Sequence, residues 1–426
     1  MAVSFETAIF RFRSLLLSDF DVSGVNHMTD PVMPTYGRLD VAFTKGEGIW
    51  LTDTKGKQYL DALSGIAVCG LGHAHPKIAQ AITEQASMLI HTSNIYQIPL
   101  QTQLAEKLTA LSGMEQVFFC NSGAEANEAA IKIARKYGHE KGIDKPVIIV
   151  MDSSFHGRTM ATLTATGNPK VHAGFEPLVS GFVRVPYNDL DALKMAVSHW
   201  PEAVAVMLEP VQGEGGIKIP NPDYLSAVRE LCTQRQLLMM LDEVQTGVAR
   251  TGEWFAFQYA EDVLPDVMML AKGLGNGFPI GACLVAGAAV GILQAGNHGS
   301  TFGGNPLACR VALTVLDIIE QDNILQNVKT LTTDMVHNFE QALADQEGVK
   351  SIRAAGFMLG IELTIPCADL VKQALDKGVL INVTADKVVR LLPPLIINKQ
   401  EADKLVQIVS TLIIDFLAIN SIKSVA

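Results

Sequence analysis

Short apolar runs that end abruptly in polar or charged residues punctuate the middle of the chain: Val117–Cys120, Val147–Met151, Val204–Leu208, Leu237–Leu241 and Val267–Ala271. None alternates with polar residues, which is the pattern of strands covered on both faces in a parallel sheet. Between these runs, apolar residues recur at helical spacing. Leu100, Leu104, Leu108 and Leu111 form one face, and Ala126, Ala130, Ile133, Ala134 and Tyr137 form another. Further helices are expected over 76–89, 222–234, 307–320 and 333–346, and another strand over Ile280–Ala286. Near the N-terminus, the extended segment from Phe43 predicts a hairpin turning near Asp53–Gly56. Beyond Gly348 the texture changes. Short strands at Lys350–Arg353, Met358–Leu363, Val379–Asn382 and Val388–Leu392 alternate with helices over 368–377 and 399–419, predicting a smaller α+β domain.

The strand ends carry the candidate chemistry. In open α/β sheets, ligands bind outside the carboxyl ends of the strands. Asp242-Glu243 and Lys272-Gly273 each follow such a run. An acid and a lysine there form either a salt bridge or a cofactor site, in which the lysine makes a Schiff base with an aldehyde and the acid holds a pyridinium nitrogen protonated. These two residues alone leave both readings open. Asn121-Ser122-Gly123 joins a strand to a helix, so it either offers backbone N–H groups to a phosphate or is an ordinary N-cap. The loop Phe155-His156-Gly157-Arg158 could stack an aromatic on a ring and fork an arginine onto a carboxylate, or be a polar surface loop. Glu209 opens a Gly-rich loop at a fourth strand end. One pocket for pyridoxal phosphate accounts for all of these features together. Neither GxxxxGK[ST] nor GxGxxG occurs, which disfavours P-loop nucleotides and dinucleotides. His73 and His75 lack a third ligand of matching character, so no metal is expected.

Composition bounds this picture. At 426 residues the chain exceeds one ordinary core, and its net charge of −11 argues against nucleic acid and anionic membranes as partners. Six scattered cysteines without a CxxC predict buried free thiols in a reducing compartment such as the cytoplasm. The longest uncharged run, Phe278–Gly296, is broken by Pro and Gly and falls short of a membrane span, so a soluble protein is expected. Residues 1–27 do not match the rest of the chain and read as a flexible extension or the product of an upstream start.

As a set, the motifs resemble the class-III aminotransferases of fold type I. They are Ser122–Ala130, Phe155–Thr159, Glu209–Gly216 (EPVQGEGG), Asp242–Gly247 (DEVQTG), Ala271–Gly275, Gly299–Pro306 and Arg390–Pro394 (RLLPP). The resemblance covers Met28 to the C-terminus. It implies an α/β fold with a mostly parallel seven-stranded sheet in a large domain (76–306), an N-terminal segment (28–75) joining the small domain, and a C-terminal small domain (307–426). It also implies roles. Lys272 holds the cofactor and shuttles a proton. Asp242 meets the ring nitrogen, Phe155 stacks on the ring, and Glu243, Val244 and Gln245 flank it. Ser122, Gly123 and Ala124 cradle the phosphate, and Thr301 reaches the phosphate of a neighbouring subunit in a homodimer. Arg158 and Ser300 meet substrate. Glu209 and Arg390 pair as a charge switch that opens for glutamate. The implied reaction is a ping-pong transfer of a terminal amino group, from an acylated ornithine or a similar diamino acid, to 2-oxoglutarate. One departure is Ala249, where the family usually has glycine.

Overall fold

The apolar runs become the strands of one sheet. A computed structural model describes residues 31–425, so the expectation for residues 1–27 lies outside the described residues. Residues 31–41 carry no helix or strand, and the described residues from 42 onward belong to one compact unit.

Within that unit the strands are β1 (Phe43–Glu47), β2 (Trp50–Asp53), β3 (Gln58–Asp61), β4 (Gln116–Cys120), β5 (Val147–Met151), β6 (Phe182–Val185), β7 (Ala203–Leu208), β8 (Leu238–Asp242), β9 (Val267–Leu270), β10 (Gly281–Val285), β11 (Val349–Ala355), β12 (Met358–Leu363), β13 (Val379–Leu380), β14 (Asn382–Thr384) and β15 (Val388–Leu391). The principal helices are α1 (Pro76–Met88), α2 (Pro99–Ser112), α3 (Gly123–Glu140), α4 (Met160–Ala165), α5 (Leu190–His199), α6 (Tyr224–Arg235), α7 (Pro306–Gln321), α8 (Ile324–Ala342), α9 (Asp369–Asp376) and α10 (Lys399–Val425).

The seven-stranded sheet runs β4-β10-β9-β8-β7-β5-β6. The β6–β5–β7–β8–β9 pairings are parallel, and only β10 opposes its neighbours. Successive residues of each strand enter different cores. Ile149, Val206, Met239 and Met268 face one side, with Leu225 and Val228 of α6. Ile148, Ala205, Met240 and Met269 face the other, against Ala126, Ala130 and Ile133 of α3. The two-sided burial explains why these strands show no polar alternation. The short edge strand β6 and helix α5 had no clear signal in the sequence, because β6 is only half-buried and contains Arg184.

Two smaller sheets flank this one. One is β1-β2-β3-β13, with β13 parallel to β3, and the other is the antiparallel β11-β12-β15-β14. The His73 imidazole meets Asp61 Oδ2 at 2.8 Å, which gives this histidine a structural partner. Five of the six cysteines are buried, and Cys69 is half-buried.

Candidate active site

A cavity of ≈ 400 Å³ opens where the carboxyl ends of β4, β5, β7, β8 and β9 converge, and Ser122, Gly123, Ala124, Phe155, Arg158, Glu209, Asp242, Val244, Gln245 and Lys272 all line it. These residues run from 122 to 272 in the sequence, and the sheet order brings them together.

Asp242 ends β8 and is 4% exposed. Its Oδ2 accepts from Asn127 Nδ2 at 2.8 Å and lies 2.8 Å from His156 Nδ1. Its Oδ1 accepts from the Val244 N–H at 3.1 Å. Asn127 also donates to the His156 carbonyl at 2.7 Å, so one amide ties the helix α3 to the loop after β5. A carboxylate accepts only, so the His156 tautomer that fits carries its proton on Nδ1. Its Nε2 is then buried without a partner. These three contacts fix the orientation of the carboxylate in a site largely shielded from water.

Lys272 follows β9 with a left-handed backbone (φ 44°), a strained conformation for a residue with a side chain. Burial holds its ammonium below the ordinary lysine value, against the opposing pull of Glu214, Asp242 and Glu209. A lysine so depressed is more readily a free amine, the form that acts as nucleophile or base.

Also on the cavity wall, Ser122 caps α3, its hydroxyl accepting the Glu125 N–H at 3.2 Å. Residues Gly123 and Ala124 start the helix, where N–H groups have no intrahelical acceptor. A Cβ at Gly123 would come within 2.8 Å of Val244 Cγ1, so glycine is what lets the helix start approach the residue beside Asp242.

The two arginines differ. Arg158 is exposed, its guanidinium 5.7 Å from the centroid of Phe155. Arg390 is wholly buried, donating from Nη1 to Glu214 Oε1 at 2.7 Å and from Nε to Asn382 Oδ1 at 2.9 Å, with Nη2 unpartnered.

This geometry corrects two expectations. Glu209 does not pair with Arg390. Its Oε2 accepts the Phe155 N–H at 3.2 Å, and burial together with Asp242 pushes its carboxyl well above the usual range. Glu214, five residues on, takes the arginine because the Gly-rich loop folds back toward the small sheet. Nor does Glu243 line the cavity. It turns into the core, accepting from the Thr246 hydroxyl and from the Ala256 and Phe257 N–H groups at 3.0 and 2.9 Å, and burial raises it to about 7.

Thr301 and Ser300 do not border this cavity but a second one of ≈ 540 Å³. Ser300 Oγ accepts from Asn121 Nδ2 at 3.1 Å, and Thr301 is exposed. The sequence pattern assigned no positioning role to Asn127, His156 or Glu214. The signal for Asn127 is its polarity among the buried alanines of α3. Among the described residues, no group of three or more His, Cys, Asp or Glu is placed to hold a metal, and no helix is long and apolar enough to cross a membrane.

Comparison with known proteins bears on this arrangement. The family model "Aminotransferase class-III" matches residues 32–413. The acetylornithine aminotransferase of Nitrosomonas europaea is 60% identical over 370 residues, 87% of this chain and 94% of that protein. That of Methanocaldococcus jannaschii is 48% identical, over 86% of this chain and 91% of its own length. Among solved structures, N-acetylornithine aminotransferase from Stenotrophomonas maltophilia superposes with a TM-score of 0.79 at 36% identity, covering 90% of this chain and 98% of that one. Ornithine aminotransferase from Toxoplasma gondii superposes with a TM-score of 0.86 at 30% identity, covering 98% and 96%. With the family model spanning nearly the whole chain, and a lysine and an acid facing one cavity at the strand ends, this protein belongs to the class-III aminotransferases.

Proposed function

We propose that the chain transfers the terminal amino group of N-acetylornithine to 2-oxoglutarate, giving N-acetylglutamate semialdehyde and glutamate, a step of arginine biosynthesis. The convergence of Lys272 and Asp242 on one cavity carries the aminotransferase chemistry. Similarity to proteins named acetylornithine aminotransferase, at 60% and 48% identity, supports the donor.

The cofactor is pyridoxal phosphate, and the donor set fits it. A buried acid with its proton donors fixed suits a pyridinium nitrogen, a depressed lysine suits an aldehyde, and a glycine-started helix suits a phosphate. Bound there, pyridoxal phosphate supplies an aldehyde that exchanges amines and a ring that accepts the electrons left when a proton leaves the substrate. Asp242 keeps the ring nitrogen protonated. Phe155 and Val244 enclose the ring, and Gln245, whose buried Oε1 has no protein partner, offers a polar contact at its edge. Lys272 Nζ carries the proton to and from the reacting carbon. Ser122, Gly123 and Ala124 hold the phosphate.

The two substrates set different demands. The donor's reacting carbon bears no carboxylate, whereas that of 2-oxoglutarate does. Arg158 serves the distal carboxylate in both half-reactions. Arg390 serves only the acceptor and is masked by Glu214 for the donor. By the family resemblance, the domains of this chain are assigned as an N-terminal segment joining the small domain (28–75), a large cofactor-binding domain (76–306) and a C-terminal small domain (307–426).

The active unit is a homodimer in which Thr301 and Ser300 of one copy complete the other's site. The exposed Thr301 and the exposed apolar side chains Met88, Leu89, Ile90, Ile95, Tyr96 and Phe302 support this. The site of action is the cytoplasm.

The test is kcat/KM for N-acetylornithine, ornithine, succinyl-diaminopimelate and 4-aminobutyrate, together with borohydride reduction and peptide mapping. N-acetylornithine should lead, and the reduced cofactor should be found on Lys272. Preference for another donor would overturn the substrate, and labelling at another lysine would overturn the site.

A further inference from the structure

Strand β14 is three residues long, and its alternate residues face the same side. Asn382 stands opposite Arg390 in the β14–β15 ladder and accepts from its Nε at 2.9 Å. Two residues on, the Thr384 hydroxyl donates to the main-chain carbonyl of Glu214. One strand therefore holds both members of the Glu214–Arg390 pair, the guanidinium by its side chain and the carboxylate by its backbone.

A second clamp comes from β11. Arg353 donates from Nε to the Ile217 carbonyl at 2.7 Å and from Nη2 to the Gly216 carbonyl. It is fixed in turn by Glu362 Oε2 and Ser351 Oγ, each at 2.7 Å. The carbonyls of residues 214, 216 and 217 are thus all tied to the small sheet.

The pair itself is asymmetric. Arg390 is fully buried and keeps Nη2 unused, while the Glu214 side chain is 38% exposed. The carboxylate is the member free to swing, and its backbone anchors limit how far.

We propose that Asn382, Thr384 and Arg353 are positioning residues that set the balance between the masked and open states of Arg390, and so the selectivity between an amino donor without a carboxylate at its reacting carbon and a 2-oxo dicarboxylate acceptor. This rests on the reading of Arg390 as the acceptor's carboxylate receptor. Weakening an anchor of Glu214 raises the donor's KM without raising that of the acceptor. A second carboxylate on Arg390 does the reverse.

The experiment measures the two half-reactions separately by single turnover on the cofactor-loaded enzyme. Thr384→Val should raise the apparent KM for N-acetylornithine about three- to tenfold, the range of one lost hydrogen bond, with the 2-oxoglutarate KM unchanged or lower and the limiting rates preserved. Arg353→Met should act in the same direction. Thr384→Ser, which keeps the hydroxyl, should restore both values. Asn382→Asp should raise the KM for 2-oxoglutarate alone. Glu214→Gln is the reference, because it must itself split the two KM values. If it does not, the Arg390 reading fails and the inference with it. If Glu214→Gln splits them but the Thr384, Arg353 and Asn382 variants move both in parallel or neither, the anchoring role alone is overturned.

Discussion

Asp242 and Glu214 are carboxylates on the wall of one cavity, held in opposite ways. Asp242 is 4% exposed and takes hydrogen bonds on both oxygens, two of them from side chains of different elements. Glu214 is 38% exposed and touches its arginine through one oxygen, while the guanidinium keeps a spare nitrogen. A charge required in every step is best fixed rigidly, since reorganisation during reaction is then avoided. A charge required in only one half-reaction has to be able to leave. Burial and hydrogen-bond saturation separate the two.

Replacing the fixed charge should have the largest effect. Asp242→Asn keeps the shape but removes the acid, and kcat in both half-reactions should fall by about 10²–10³, the range for removing one preorganised electrostatic contact. An equal loss confined to one half-reaction would break the contrast with Glu214. Next, Asn127→Leu takes a donor from Asp242 and leaves the His156 carbonyl short of a partner. Unfolding free energy should drop by about 1–3 kcal/mol, and more of the cofactor should dissociate on dilution.

A pH effect of intermediate size is expected at a different pair, His73 and Asp61. Asp61 raises His73 to about 9 from an ordinary 6.5. Because the folded-state value is the higher one, the stabilisation is complete below pH 6.5 and is lost as pH rises through about 9. The melting temperature of the wild type should fall between pH 6.5 and 9.5 by about 1–2 °C more than that of His73→Gln.

The smallest effect is expected at Glu209. Burial favours its neutral form, and its contact with the Phe155 N–H survives in the amide, so Glu209→Gln should change kcat less than about threefold. A loss as large as that of Asp242→Asn would make Glu209 a second fixed charge.

The rigid half of this comparison was legible in the sequence, and the switchable half was not. Asp242 and Lys272 stand out because strands buried on both faces are uniformly apolar, so the first charge after each marks the sheet edge. Glu209 is marked by the same rule as a residue of the sheet edge, but its role as the partner of Arg390 came only from the family resemblance, and the geometry gives that role to Glu214. Which of the two meets Arg390 depends on how residues 213–217 fold, and carbonyls of that loop are held by Thr384 and Arg353, more than 130 residues away. Glu243 misleads in a similar way. It adjoins Asp242, yet the next residue past a strand end points elsewhere, here to the N–H groups of Ala256 and Phe257. The antiparallel course of β10 was equally hidden, since a buried strand reads the same in either direction.

The distribution of thiols has a practical consequence. Burial pushes Cys120, Cys232 and Cys309 up to about 12, leaving them slow toward alkylating reagents, and Cys283 and Cys367 are also raised and buried. Cys69 alone is half-buried, and its Sγ lies 3.7 Å from where a Cβ on Gly277, a residue of the cavity wall, would stand. A maleimide fluorophore added to the unmutated protein should therefore attach at one place, beside the cavity, and report on its filling through a change in emission.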